Sequence, residues 1–368
     1  MAAGGPTPCP SVRAHISNWV PEVALESKPV SPMNCACSQV KKLHALACGL
    51  ALLVFAVIEP ALAASEAVME RSYREFQTLL EGEFDNQEQY YFDRNLELPL
   101  AERHPRNHLS IARVDNVTDG LSLFYFRQYL DDDATALVRD QLLVTGLLPG
   151  GSGIRMDIFP RPEGELRGQW RLADLGSPRC TIHWQPELDH FVGRAVTPDC
   201  VGSEGDNGST QQTVLLTGSE FSIFDWGLAA DAALPAQTPA TAFRNHRARV
   251  FTCWMSVTHP SGGGSTFRAG LKILDQGGRL WLASEEPETA VAGIKIRRVR
   301  WPSGNNRDSL VLYAHQPDQD KAVAYTWGDV DASRIAMNLR WMQASCTLSD
   351  DQRWPGEMPS TASVNSGS

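Results

Sequence analysis

Residues 65–81 carry apolar or aromatic side chains at Met69, Tyr73, Phe76 and Leu80. Steps of four, three and four place them on one face of a helix. Gly82 follows, a residue suited to the left-handed position that ends a helix. Beyond it the helical period fades. Short alternating runs take over: HLSIARV (108–114), LSLFYFRQYL (121–130), IRMDIFP (154–160), LRGQWRLA (166–173), CTIHW (180–184), HFVGRAV (190–196), QTVLLTG (212–218) and FSIFDWG (221–227). Many short strands at close spacing predict an antiparallel barrel or sandwich. VRDQLLVTG (138–146) fits a strand or a helix capped by Asp131–Asp133. Residues 228–248, rich in alanine and proline, read as a loop.

After Cys253 a second strand series begins: FRAGLKIL, RLWLAS, AGIKIRRVRW, SLVLYAH, AVAYTW and IAMNLRWMQA. SGGGS (261–265) marks a turn within it. The pattern divides the chain into a first all-β region at 65–252 and a second at 253–348. A Ser-, Pro- and Asp-rich tail follows at 349–368, which we expect to be disordered.

The first 64 residues stand outside that pattern. Lys41 and Lys42 precede an almost wholly apolar run from Leu43 to Ile58, and Ala61-Leu62-Ala63 supplies a small-residue cleavage site. This order is that of a secretory signal peptide over 33–64. The run is shorter than the roughly 20 apolar residues of a membrane span. Cys48 lies too early in it for a lipid-modified cysteine. Residues 1–32 precede the signal as a mis-assigned or disordered extension, with Met33 as the alternative start. The expected location is therefore export to the periplasm, with no membrane span once the signal is removed.

Composition adds three constraints. The 368 residues hold 33 basic and 43 acidic side chains, a net charge of −10, and 42% are hydrophobic. Without residues 1–64 the balance is 29 against 40, a net of −11. That argues against a general nucleic-acid binder, which needs a basic face to displace counterions. Four cysteines remain beyond residue 64: Cys180, Cys200, Cys253 and Cys346. An even number in an exported protein suggests disulfides, with three pairings open. The run CTIHWQPELDHFVGRAV reads as a hairpin that brings Cys180 towards Cys200, leaving Cys253 and Cys346 to staple the second series. Free or metal-bound thiols are the alternative, although no C-x-x-C spacing is present.

Several residues resemble the CpcT/CpeT chromophore-lyase family. Phe84, Asn86 and Gln89 form an F-x-N-x-x-Q segment after the first helix, with Gln87 between. LFYFRQYL is similar to the family's aromatic strand with a Gln and a Tyr, here Gln128 and Tyr129. Cys180 and Cys200, with Phe191-x-Gly193 between them, resemble its cysteine pair. Asp225-Trp226-Gly227 stands where relatives have Asp-x-Gly. The resemblance covers about 72–252.

It implies a lipocalin-like calyx of antiparallel strands that binds a linear tetrapyrrole, a bilin, and assists its thioether attachment to a cysteine of an acceptor protein. No cofactor beyond the bilin ligand is required. By this resemblance Phe84, Asn86, Gln87, Gln89, Tyr125, Arg127, Gln128 and Arg139 are expected at the ligand. Asp157, Asp225 and Tyr129 are expected to move protons. Amides after a helix stop also satisfy loose backbone groups, so Asn86 has a purely structural reading as well. Arg127 departs from the acidic residue expected of such lyases, and the signal peptide and the second strand series lie outside the resemblance. A non-catalytic periplasmic carrier of an apolar ligand, and an envelope protein-interaction module, are the rival readings.

Other chemistry is weaker. His104 and His108 stand four apart, but Pro105 between them favours a loop over a metal-binding helix. His183 and His190 would face each other across the expected hairpin. Asp131–Asp133 lack the spacing of a calcium loop. PGGSG (149–153) lacks the Gly-Lys-Ser/Thr of a phosphate loop. IKIRRVRW (294–301) reads as a charged edge strand, with Lys295, Arg297, Val299 and Trp301 on one face.

Overall fold

The computed structural model describes residues 66–114, 121–130, 133, 135–161, 175–196, 213–223, 242–258, 264–283, 290–300, 307–319 and 321–354. The signal-peptide segment, the N-terminal extension, LRGQWRLA, Cys200, Asp225 and Trp301 lie outside these residues.

Helix α1 spans residues 66–80. Tyr73, Phe76 and Leu80 are buried, as their spacing requires. Gly82 does not end the helix in a left-handed cap. It opens strand β1 (Gly82–Asp85) with φ +147°. A Cβ there would collide with the guanidinium of Arg247. Nine more strands follow: β2 (Asn107–Val114), β3 (Ser122–Leu130), β4 (Leu137–Leu147), β5 (Ile154–Pro160), β6 (Cys180–Pro186), β7 (His190–Ala195), β8 (Thr213–Thr217), β9 (Glu220–Ile223) and β10 (Phe243–Ala248). They close in the order β1-β10-β9-β8-β7-β6-β5-β4-β3-β2, every neighbour antiparallel. Residues 138–146 are thus strand, and the end of the expected 228–248 loop is β10.

A short helix, α2 (Gln87–Asn95), interrupts the path from β1 to β2. The sequence pattern does not announce it. Its buried residues are Gln87 and Asp93, while Tyr91 and Phe92 are exposed. Tertiary contacts hold it, not an apolar stripe.

The second series forms two four-stranded sheets. One has the order β12-β11-β18-β17 and the other β13-β14-β15-β16. Their strands are β11 (Val250–Thr258), β12 (Ser265–Leu274), β13 (Gln276–Ala283), β14 (Ala290–Val299), β15 (Ser309–His315), β16 (Ala324–Asp329), β17 (Arg334–Asn338) and β18 (Met342–Leu348). Met255, Val257, Ile294, Ile296, Leu310, Leu312 and Met342 share the core between them. IAMNLRWMQA is two strands with a turn between, and β14, which carries IKIRRV, is interior to its sheet, not an edge. Cys253 and Cys346 are direct partners on β11 and β18 and form a disulfide. Cys180 is also disulfide-bonded.

The tail does not leave the fold at residue 349. Lys272 Nζ lies 2.8 Å from Asp351 Oδ2, and Trp354 packs on His108 with ring centroids 4.7 Å apart. No helix among the described residues is long and apolar enough to cross a membrane.

Candidate functional site

Barrel closure sorts every strand into an inner and an outer row, because successive side chains point to opposite faces. Phe84, Leu109, Ile111, Phe124, Phe126, Leu143, Met156, Ile182, Trp184, Phe191, Val214 and Phe221 form the inner core. Helix α1 closes one end of it. Phe76 inserts between Trp184 and Phe191, with ring centroids at 5.2 and 5.3 Å. The Tyr73 hydroxyl donates to Thr145 O at 2.7 Å, and Gln77 Nε2 donates to Ser122 Oγ at 2.8 Å. Arg247 donates to the carbonyls of Leu79 and Glu81, supplying partners to the last turn of α1. This part of the barrel is filled by its own side chains.

The far end differs. The connections there span residues 86–106, 131–136, 161–179, 196–212 and 224–242, four of them long, whereas those at the α1 end are short. The inner row also changes character. Alternation from Leu109, Phe126 and Leu143 leads to Asn107, Gln128 and Gln141, Gln128 brings in Arg139, and Asn245 stands opposite Phe221. All five are buried. Arg139 Nη1 donates to Gln128 Oε1 at 3.0 Å. Asn245 Nδ2 donates to Phe221 O at 3.2 Å, but its Oδ1 has no hydrogen-bond partner among the described residues. Asn107 is fully buried, and neither its Oδ1 nor its Nδ2 has a hydrogen-bond partner among the described residues. A buried amide without partners costs about 1–3 kcal/mol. Such a group marks a place where a further polar molecule would fit.

The residues named from sequence fall in three places. Gln128 and Arg139 belong to this inner ring. Phe84 lies deep in the core, its ring 5.8 Å from Phe221 and under the Arg247 guanidinium. Tyr125, Arg127, Tyr129 and Asp157 are on the outer wall. Tyr125 packs with Val114, Leu123, Leu142, Val144 and Phe159. Arg127 Nε lies 3.5 Å from Asp140 Oδ1. Tyr129 stacks edge-on to Trp354. Asp157 accepts from Thr181 Oγ1 at 2.6 Å and pairs with Arg155.

The amide cluster is engaged within the protein. Asn86 Nδ2 donates to Pro105 O at 2.9 Å, and its Oδ1 accepts from Asn107 N at 2.8 Å. Gln87 N donates to Asp85 Oδ1 at 2.7 Å, while its side chain packs against Gly277. Gln89 Nε2 donates to Ala242 O at 3.0 Å, and its Oε1 accepts from Arg244 N at 2.9 Å. Asn86 and Gln89 fasten α2 to the ends of β2 and β10, and Gln87 seats it against β13.

A second polar cluster lies on the outer wall of β1 and β2. His108 Nε2 is 2.9 Å from Glu83 Oε2, Ser110 Oγ donates to Glu83 Oε1 at 2.8 Å, and Arg106 Nη2 donates to Asp85 Oδ2 at 3.0 Å. Burial opposes the charge on His108, but Asp85 and Glu83 outweigh it and push its pKa up to about 9. Burial likewise opposes ionisation of Asp85, and Arg106 with His108 holds its carboxyl below the usual range. Trp354 covers the cluster and donates its backbone N–H to Glu83 Oε1 at 3.2 Å. Closed in this way, it is a structural ion network.

The histidine pairs do not form metal sites. His104 Nδ1 bonds Asp93 Oδ2 at 2.8 Å. His183 lies opposite Arg194, and His190 opposite Thr217, so the two histidines do not face each other. No group of three metal-ligating side chains occurs among the described residues. His183 and Arg194 instead line a shallow outer hollow of about 240 Å³ with Gln185, Glu187, Val192 and Val196.

No family model matches the sequence. No curated protein matches it. Among solved structures it is similar to the "SeMet CRL Protein of Arabidopsis", with 14% sequence identity and a TM-score of 0.34, over 49% of this protein and 99% of that one.

Proposed function

We propose that the barrel is a lipocalin-like calyx of the CpcT/CpeT chromophore-lyase type, and that its far end binds a linear tetrapyrrole. The observation that carries this reading is Asn107, a buried, unpartnered amide on the inner wall, in a ring with Gln128, Gln141, Asn245 and Arg139. A linear tetrapyrrole presents lactam N–H and C=O groups that match side-chain amides donor to acceptor. Its propionates suit a guanidinium, which holds a carboxylate through two parallel hydrogen bonds. The apolar floor below the ring, with Phe126, Leu143 and Ile158, suits the pyrrole faces.

Attachment would take place on an acceptor. The acceptor's thiol adds across an exocyclic carbon–carbon double bond of the bound bilin: a C–S bond forms, the double bond becomes single, and the thiol proton ends on the neighbouring carbon. No electrons are gained or lost. The calyx would contribute by holding the bilin in one pose. The non-catalytic carrier is favoured by a specific observation: Tyr129 and Asp157 lie on the outer wall, away from the ring.

The test is incubation of the protein with biliverdin and related linear tetrapyrroles, with and without a cysteine-bearing acceptor. Binding predicts a shifted visible spectrum that Asn107→Leu and Arg139→Leu abolish. Colour on the acceptor that survives denaturant supports the lyase, and colour released by denaturant supports the carrier. An unchanged spectrum with every tetrapyrrole refutes both.

A further inference from the structure

The sheet β13-β14-β15-β16 has one face in the sandwich core and another turned outward. On the outward face, register aligns Arg279, Lys295, Tyr313 and Tyr325 in one row. Arg297, Val311 and Trp327 form the row on one side, and Trp281, Gly293 and His315 the row on the other. Tyr325 and Trp327 are 68% and 71% exposed, and Trp281 is 47% exposed. Tyr313 lies beside Tyr325, with ring centroids 6.2 Å apart. Trp281 covers Gly293, where any Cβ would stand 2.7 Å from the indole. Large rings in solvent, gathered on one flat face, mark a binding surface.

Charge says what kind of partner fits. Residues 250–354 carry 12 basic and 11 acidic side chains, whereas residues 1–249 carry 21 and 31. Against this acidic background, Arg279 and Arg297 stand among the rings, with Asp329 the one acid on these strands' outward rows among the described residues. Arg297 lies over the Tyr91 ring at 4.8 Å, which keeps its guanidinium at the edge of the platform. Among the described residues this face carries three cations, Arg279, Lys295 and Arg297, fewer than the roughly 6–10 phosphate contacts of a strongly salt-dependent DNA binder. They suit a short polymer of rings with flat C–H faces and carboxylates at their edges.

We propose that this face binds an acidic oligosaccharide, a run of pyranose rings bearing carboxylates. The C–H faces of the sugar rings stack on Trp327, Tyr325 and Trp281. Arg279 and Arg297 pair with carboxylates, the bidentate geometry that lysine does not offer. The inference is independent of what the barrel holds.

The test is calorimetric titration of the full-length protein with tetragalacturonate, the neutral tetramer cellotetraose, and a twelve-residue oligothymidylate. Tetragalacturonate is expected to bind, and to bind less tightly as salt is raised. Trp327→Ala should weaken binding about tenfold or more, the size of a lost aromatic anchor. Arg279→Gln should weaken it about threefold and flatten the salt dependence. Leu188→Ala, at an exposed position in the turn between β6 and β7, should leave it unchanged. Circular dichroism verifies that each variant is folded. Absence of heat with tetragalacturonate at millimolar concentration, equal binding of cellotetraose, tighter binding of the oligonucleotide, or indifference to Trp327→Ala would each overturn the proposal.

Discussion

The imidazole Nε2 of His108 lies 2.9 Å from the Oε2 of Glu83 on the neighbouring strand, and both side chains are closed off from solvent. His108 is raised from 6.5 to about 9 in the folded protein. A folded value above the unfolded one stabilises fully below the unfolded pKa, and that contribution is lost as the pH rises through the folded pKa. Between pH 6.5 and about 9 the urea midpoint should therefore fall, by an amount on the order of 3 kcal/mol in stability. His108→Gln should lower stability at pH 6 and flatten that slope. An unchanged slope in the variant would assign the pH dependence to another group.

Asn107 should behave in the opposite sense to a normal buried residue. Replacing it with leucine removes two unpartnered polar atoms from the barrel interior. Without ligand, Asn107→Leu is expected to raise stability by about 1–2 kcal/mol. The same change should remove tetrapyrrole binding, the trade between stability and function that binding sites show. Thermal melting of the apo protein and a visible titration measure the two effects separately.

Gly193 tests how tightly the filled end is packed. A Cβ there would stand 2.7 Å from Val214 Cγ2 and 2.8 Å from Trp184 Cδ2. Trp184 and Val214 are both fully buried and have no room to withdraw. Gly193→Ala should destabilise by about 1–3 kcal/mol, the cost of overpacking. The readout is the urea midpoint at constant slope.

Arg247 joins the barrel to its helical plug. It donates to the Leu79 and Glu81 carbonyls and lies over the Phe84 ring. Arg247→Ala should cost about 1–3 kcal/mol and speed amide exchange in the last turn of α1 before that of the strands. Uniform acceleration across the barrel would mean that the helix is held by Phe76 and Tyr73 alone.

The disulfide between Cys253 and Cys346 closes a loop with a sequence separation of 93. In the entropy estimate for cross-linked chains such a loop contributes about 4–5 kcal/mol. Cys346→Ser should lower the sandwich melting transition and leave that of the barrel nearly in place. Differential scanning calorimetry distinguishes that from a single shared transition.

Much of this architecture is legible along the sequence. The steps from Tyr73 to Phe76 to Leu80 mark α1, and alternation marks most strands in both series. Helix α2 is not legible, because QEQYYFDRN buries Gln87 and Asp93 and exposes Tyr91 and Phe92. Its stability comes from Gln89 bonding Ala242 and Arg244, more than 150 residues away in sequence. The amides at 86, 87 and 89 look alike in sequence to ligand-binding groups. Asn86 and Gln89 bond mostly to backbone groups that only folding brings near, and Gln87 packs on Gly277.

Strand β3 shows where sequence reading ends. Phe124, Phe126 and Gln128 alternate with Leu123, Tyr125, Arg127 and Tyr129, and both rows are buried. Period two in the sequence determines that they form a strand and which residues share a face. It does not say which face is inside, since a strand covered on both sides has no polar row to mark the solvent. The pairing of β1 with both β2 and β10 closes the barrel, and closure turned Gln128 inward and Tyr129 outward. Local alternation determined the strands of this protein; long-range pairing decided which of their side chains face the interior.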